Sequence, residues 1–503
     1  MSDDRLSFPR AELRARTVRG VAVTAAFLVL IDGVVLAQGL IVTRLLGPET
    51  IGLYGIVSIT VMSLIALKRV GIDEAYVQQE SGEEGEFQRA FTLELGLSSA
   101  FALLICASAP ILAAVYGESR LLPLTIATAY LPIAFALQAP MWIFFRRMDY
   151  VRQRSLQAIV PLVTFAVTVP LAAVGVGVWS LVIGAAAGNA VGALAAIAAS
   201  PFRLRVRYDR EAARRYLAFS GPVFVSAGAL LAVQQGQILS FGLVKGLAGA
   251  GFITLAVTLT RYVDRADQIV TAALYPAICA VQGRTARLTE LFEKSNRVTM
   301  MWTLPYAVGL VLFAPDLVGF VLGHRWEPAT ILIQGLAGAM LLTQIAFNWF
   351  SFFRAHGWTG PPAWEGVVSV VAFGALAVPG LVVWGSGGFV GGRIAAVSIT
   401  LAVRARFLRR LLPDVRLAPL VARAARPVAL AAGAALALRL LTWGGERGAV
   451  EAVTELALFL AVFGLATLRL DRPLIDEVRT TWRSPAMATA EAAAAPVEAT
   501  PTP

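Results

Sequence analysis

Residues 20–55 read GVAVTAAFLVLIDGVVLAQGLIVTRLLGPETIGLYG. Residues 20–43 carry one charge, Asp32, and are longer than the roughly 20 residues a helix needs to cross a bilayer. Arg5, Arg10, Arg14, Arg16 and Arg19 precede this run, and a tight LGPET turn leads straight into a second apolar run. Inside a bilayer, only helices and closed barrels satisfy every backbone N–H and C=O, and a run of this length is too long for a barrel strand. The stretch therefore describes two membrane helices joined by a short turn.

The same pattern continues down the chain. Of 503 residues, 57% are hydrophobic, and the mean hydropathy is +0.71. About fourteen spans fit the 20-residue rule. They lie near 20–43, 51–67, 91–115, 122–145, 156–174, 177–199, 218–241, 249–275, 299–322, 329–352, 362–383, 386–403, 427–443 and 450–468. The last two are Ala-rich. No polar insertion between spans is long enough for a soluble domain.

The formal charge of +11 raises nucleic acid as a partner, but its distribution excludes that reading. Cations gather on alternate connections: Arg146, Arg147, Arg152 and Arg154 after span four; Arg203, Arg205, Arg207, Arg210, Arg214 and Arg215 after span six; Arg284, Arg287, Lys294 and Arg297 after span eight; Arg404, Arg406, Arg409, Arg410, Arg416, Arg423 and Arg426 after span twelve. The other connections hold scattered cations such as Arg120, Lys245, Arg325 and Arg447. This is the positive-inside pattern, and it predicts both termini in the cytoplasm. The loop after span two, with Lys68 and Arg69 but also Glu80, Glu83, Glu84 and Glu86, is its least typical member; acidic residues weigh little in the rule. Cys106 and Cys279 are too far apart for a disulfide framework or a metal spacing. The first apolar run is too long for a cleavable signal and reads as a retained span.

Residues 201–217 (PFRLRVRYDREAARRYL) form a basic amphipathic segment, read as an interfacial helix at lipid headgroups. It divides the first twelve spans into two sets of six. An internal echo supports that division: RLLGPETIGLYG (44–55) follows span one and LVKGLAGAGFIT (243–254) follows span seven, so Gly47 and Gly52 match Gly246 and Gly251. Small residues there let two helices turn sharply and pack closely. The expected fold is an all-α integral membrane protein with an N-lobe (1–216), a C-lobe (217–426), a C-terminal helix pair (427–470) and a disordered cytoplasmic tail (471–503). Its last residues, SPAMATAEAAAAPVEATPTP, have no apolar period.

Span eight holds the strongest chemical signal. Thr254, Thr258, Arg261, Asp264, Arg265 and Gln268 recur at spacings of three and four and share roughly a third of the helix circumference. Val257 lies among them, while Phe252, Leu255, Leu259, Val263 and Val270 take the other side. Each Arg or Asp near the bilayer centre costs about 2.5–3.5 kcal/mol, against about 0.3–0.6 returned by each Leu or Val. The stripe therefore lines a cavity or pairs with another span. One reading is an internal Arg261–Asp264 ion pair that locks helices together. The other is a binding site: two arginines face one carboxylate, and a surplus guanidinium suits phosphate oxygens.

Span seven adds Gln234, Gln235 and Gln237, either a hydrogen-bonding wall for sugar hydroxyls or ties between helices. Asp32 in span one and Glu94 in span three could each carry a coupling proton or neutralise a cation. Asn189, Gln344, Asn348 and Arg393 are further polar residues inside spans. No zinc spacing, phosphate-binding loop or nucleophile elbow is present, and the two histidines, His324 and His356, fall on opposite sides of the predicted topology. No catalytic residue, metal site or cofactor is expected.

At RLLGPETIGLYG the chain resembles the polysaccharide transporter family, in the superfamily that also holds lipid II flippases and multidrug and toxin extrusion exporters. The resemblance continues through GIDEAYVQQE (71–80), GVGVWSLV (175–182), ILSFGLVKGLAGAGFITLAVTLTRYVD (238–264), Pro276 of LYPAI and GHRWEPA (323–329). It implies a flippase for undecaprenyl-pyrophosphate-linked oligosaccharide in a bacterial cytoplasmic membrane, with two lobes rocking around a cationic cavity. Membrane lipids are implied partners, and the polymerase machinery of the same polymer a further one. Many members carry an Asp in span seven nine residues before the second-half glycine. Gln237 stands there instead, which removes that coupling carboxylate. An exporter of small molecules with the same fold, and a polysaccharide polymerase or ligase, are the competing readings. Surplus cavity cations disfavour cationic drugs, and short outer loops disfavour the enzyme.

Overall fold

The computed structural model describes residues 10–68, 71–78, 83–210, 221–358, 360–441, 448–472 and 476. Every regular element among them is helical. The chain divides into two compact units, with the boundary between Thr254 and Leu255. The tail beyond 476 lies outside the described residues.

The first unit holds α1 (Arg10–Leu46), α2 (Pro48–Lys68), α3 (Ile72–Gln78), α4 (Glu83–Tyr116), α5 (Leu121–Thr128), α6 (Leu131–Leu137), α7 (Met141–Arg146), α8 (Tyr150–Ala173), α9 (Val178–Ala199) and most of α10 (Gly221–Thr260). The second holds the end of α10, then α11 (Val263–Ala280), α12 (Thr285–Asp316), α13 (Thr330–Thr343), α14 (Trp349–Ala355), α15 (Gly360–Ala372), α16 (Val378–Leu411), α17 (Leu417–Leu441) and α18 (Ala449–Leu470).

Eleven helical stretches among the described residues are long and apolar enough to cross a membrane, and the protein is a multi-pass membrane protein. The difference from fourteen lies in how helices run together or break. The 52-residue stretch Gly360–Leu411 contains Gly385 at φ +66°, which separates the eleventh and twelfth spans. The tenth span is split into α13 and α14 around Ala346 at φ +59°, and neither piece is long enough alone. The seventh and eighth spans run together in the single stretch Ala232–Thr260, kinked at Gly246 (φ +70°), and α11 is not among the eleven. The fourth span counts as one stretch although it is three short helices, with Pro132 starting α6 and Pro140 capping α7; proline lacks the N–H that would carry the helix through.

The four echoed glycines divide into two jobs. Gly47 and Gly246 take φ +78° and +70°, left-handed values that cost a side chain strain. Gly52 and Gly251 permit a close crossing. A Cβ on Gly52 would overlap the carbonyl oxygen of Leu247, and one on Gly251 would overlap that of Pro48. The start of α2 and residues 247–251 of α10 thus meet backbone to backbone, each using its own glycine against the other's chain.

A second small-residue ridge joins α8 to α9. Gly184, Gly188 and Gly192 of GAAAGNAVG face Thr168, Thr164 and Val160, the small-xxx-small spacing that lets membrane helices approach closely. A Cβ on Gly188 would stand 2.7 Å from the Val160 carbonyl oxygen. Gly188→Leu is expected to cost about 2–3 kcal/mol through overpacking; a lowered thermal midpoint of the purified variant in detergent checks it.

Residues 203–209 are not helical, which corrects the interfacial-helix reading; 211–217 lie outside the described residues. The stretch F-R-L-R-V-R-Y alternates with period two, a pattern that suits extended chain rather than helix. Phe202 and Leu204 pack on the cluster of Ile72, Tyr76, Phe87 and Phe91, while Arg203, Arg205 and Arg207 are exposed. The Arg207 N–H donates to Thr92 Oγ1 (2.7 Å), and Gln88 Nε2 donates to the Arg203 carbonyl (3.4 Å). The segment is a strap along α4. Nearby arginines stack on aromatic rings as well as setting charge: Arg146 over Tyr76 at 5.2 Å and Arg147 over Phe202 at 5.3 Å.

The C-terminal pair α17–α18 is fastened to α12. Phe459 and the small face Ala424, Ala431 and Ala435 pack with Met300 and Phe313. Arg439 Nη2 meets Glu455 Oε2 at 2.9 Å and Asp316 Oδ2 at 3.6 Å, and Arg297 pairs with Asp471. Ion pairs therefore tie α12 to the last helices at its C-terminus, through Asp316, and within its first half, through Arg297.

Candidate functional site in the eighth span

The eighth span is not one straight helix. The side chain of Thr260 donates back to the carbonyls of Ala256 (2.9 Å) and Val257 (3.2 Å), a bond that competes with the backbone ladder and bends helices. The helix gives way to a turn at Arg261–Tyr262 and resumes as α11. Tyr306 of α12 donates its hydroxyl to the carbonyl of Leu259 (2.7 Å), satisfying a carbonyl next to the break. Val263 anchors the restart against Ala307 and Met340.

The two faces of the span separate as their chemistry requires. Leu255, Leu259 and Val263 are buried. Thr258 and Arg261 are exposed, and Thr254 is half-buried. No ion pair or side-chain hydrogen bond joins Arg261 to another described residue. At the mid-span position expected for it, this guanidinium would meet lipid at a cost of about 2.5–3.5 kcal/mol, so its open side suits water or an anion. Asp264, Arg265 and Gln268 follow in α11; their side chains lie outside the described residues.

The remaining sequence candidates fall into two groups. The first is engaged within the bundle. Asn189 donates to the Ala185 carbonyl (2.9 Å) and accepts from Gln138 (3.2 Å). Asn348 donates to Ser295 Oγ (2.7 Å) and accepts from Asn296 (2.9 Å). Gln235 ties α10 to α2 through the Ile59 carbonyl (3.1 Å). Glu94 pairs with Lys68, whose Nζ also donates to Ser98 (2.7 Å). The second group is described by burial and ring contact. Gln234 is half-buried, Gln237 buried and Asp32 half-buried on α1. Arg393 stands over the ring of Phe373 at 5.9 Å. The oxygen of Gln344 is buried without a hydrogen-bond partner among the described residues.

Lys68 is the buried partner of Glu94 that sequence reasoning assigned only to a loop. It is 4% exposed and Glu94 13%. The signal was available: Lys68 ends one span, while Glu94 and Ser98 sit one turn apart on the next. Removing one member of such a pair leaves a buried charge and costs about 3–5 kcal/mol, whereas replacing both with apolar residues is near neutral. Lys68→Met or Glu94→Gln alone is thus expected to lower the thermal midpoint, and Lys68→Met with Glu94→Met to restore it. Transport by the folded double variant reports whether Glu94 couples anything beyond Lys68.

A family model described as "Polysaccharide biosynthesis protein" matches residues 41–331. The chain is 23% identical over 338 residues to the succinoglycan biosynthesis transport protein ExoT of Rhizobium meliloti (strain 1021), covering 66% of this chain and 68% of that protein. It is 22% identical over 343 residues to the lipopolysaccharide biosynthesis protein WzxC of Escherichia coli (strain K12), with the same coverage of 66% and 68%. Among solved structures, an inward-facing multidrug resistance MATE family transporter aligns with TM-score 0.63 at 15% identity, over 76% of this chain and 96% of that one. The lipid II flippase MurJ in an inward closed conformation aligns with TM-score 0.62 at 12% identity, over 89% of this chain and 100% of that one. These two likenesses establish the fold.

Proposed function

The chain belongs to the polysaccharide biosynthesis protein family, within the polysaccharide transporters of the multidrug/oligosaccharidyl-lipid/polysaccharide exporter superfamily, and from that premise we propose that it translocates a polyprenyl-pyrophosphate-linked oligosaccharide across the bacterial cytoplasmic membrane, both termini being cytoplasmic. The observation that carries this reading is Arg261, an exposed guanidinium at the helix break that directly follows the apolar stretch Ala232–Thr260, with no acceptor among the described residues. A fixed cation in that setting selects an anionic passenger over a cationic drug. Guanidinium binds pyrophosphate oxygens in a bidentate way, and the polar side chains of spans seven and eight are of the type that meets sugar hydroxyls. Family relatives named for succinoglycan and lipopolysaccharide biosynthesis support a surface-polysaccharide substrate.

Alternating access is the mechanism this fold family would use: the headgroup is held in a polar site while the prenyl tail stays in lipid. The Gly47–Gly52 and Gly246–Gly251 echo supports two repeats, a known transporter plan. The test is the lipid-linked pool of a deletion strain without a redundant paralogue. Repeat units accumulate on the cytoplasmic leaflet and surface polymer is lost if the reading holds; normal surface polymer refutes it.

A further inference from the structure

The last three turns of α16 present two opposite faces. On one, Leu408 and Leu411 are buried, and Arg404 is consumed. Arg404 Nη1 donates to the carbonyls of Thr343 (2.9 Å) and Ile345 (3.0 Å), and its Nη2 to Glu365 Oε1 (3.0 Å). On the other, Ala402, Ala405, Arg406, Arg409 and Arg410 line a groove of about 560 Å³. At ~100° per residue these five span about 140° of the helix. Arg406, Arg409 and Arg410 are exposed, and no carboxylate pairs with any of them among the described residues. Arg410 lies over the ring of Phe407 at 5.7 Å. A helix C-terminus draws cations by its dipole. That effect accounts for basic residues in the last turn, but not for three unpaired guanidinium groups along one concavity floored by two alanines.

We propose that this groove is a docking site for the phosphate of a membrane lipid. Three guanidinium forks within two turns match phosphate oxygens in charge and geometry. The charge pattern places this end of α16 at the cytoplasmic headgroup level, where such a basic pocket meets anionic headgroups. Ala402 and Ala405 leave room for the headgroup to lie against the helix. The occupant is an anionic glycerophospholipid, the lipid that carries a phosphate at that level. This assignment does not depend on the transport reading.

The test uses the purified full chain in uncharged maltoside micelles, titrated with phosphatidylglycerol labelled on its acyl chain and read by fluorescence anisotropy. Saturable binding of phosphatidylglycerol, with little binding of equally labelled phosphatidylcholine, is expected. Arg406→Gln, Arg409→Gln and Arg410→Gln combined should weaken it on the order of a hundredfold. The corresponding triple Lys variant should keep most of the affinity, which separates loss of charge from loss of fold. Displacement by polyprenyl pyrophosphate at lower concentration than by unlabelled phosphatidylglycerol makes the carrier lipid the occupant and overturns the assignment; the reverse order supports it. Equal binding of the two labelled lipids, or unchanged binding by the folded triple Gln variant, overturns the proposal whether or not the chain transports oligosaccharide.

Discussion

Arg261→Ala lowers transport by roughly 10–100-fold while leaving the protein folded and in the membrane. A hydrogen bond between charged groups is worth about 1.5–3 kcal/mol, and each 1.4 kcal/mol is tenfold. The side chain stands on the open face of its span and meets no acceptor among the described residues. Its removal therefore orphans no buried partner, and the effect falls on the passenger rather than the fold. Arg261→Lys restores part of the activity, because an ammonium keeps the charge but loses the planar fork. The readout is surface polymer and lipid-linked repeat units in a deletion strain carrying each variant at matched membrane level. Arg265→Ala is expected to behave in the same way. Normal transport by both alanine variants makes the stripe structural.

Gly52→Val collapses the folded yield. The overlap it creates is with the backbone carbonyl of Leu247, and the built Cβ also falls 2.9 Å from the Gly251 nitrogen. A flexible neighbour could swing aside, but two backbone segments cannot without moving α2 off residues 247–251. Overpacking a well-fitted contact costs typically about 1–3 kcal/mol, and this site lies at the upper end. Gly251→Val meets Pro48 in the same way. The two substitutions open one crossing, so the double variant should lose less than the sum of the singles. Thermal unfolding of purified protein in detergent gives these values. A full-strength sum would show that the two glycines act at separate contacts.

The spans were legible because hydropathy and length are properties of each segment alone. The echo was legible for a similar reason: Gly47 and Gly246 must turn, and Gly52 and Gly251 must let a backbone pass, so glycine is required at the same spacing twice. The strap at 202–209 is masked by its basic, amphipathic composition, which suits an interfacial helix, although Phe202 and Leu204 alternate with arginines as extended chain does. The break at Arg261 depends on whether Thr260 bonds backwards, a choice that the surroundings make rather than the residue itself. The destinations of the amides were hidden for another reason. Gln138 meets Asn189 and Asn296 meets Asn348 across about fifty residues of chain, so sequence marks each amide as costly in a membrane without showing what satisfies it.

The most direct test of the central claim is translocation in proteoliposomes. Purified protein is reconstituted with a polyprenyl-pyrophosphate-linked oligosaccharide, and an impermeant sugar-oxidising or lectin probe reports which leaflet the glycan occupies. Protein-dependent exchange of glycan between leaflets, absent with Arg261→Ala, is the predicted result. Glycan that stays in its starting leaflet with folded wild-type protein, under every ion gradient applied, contradicts the account.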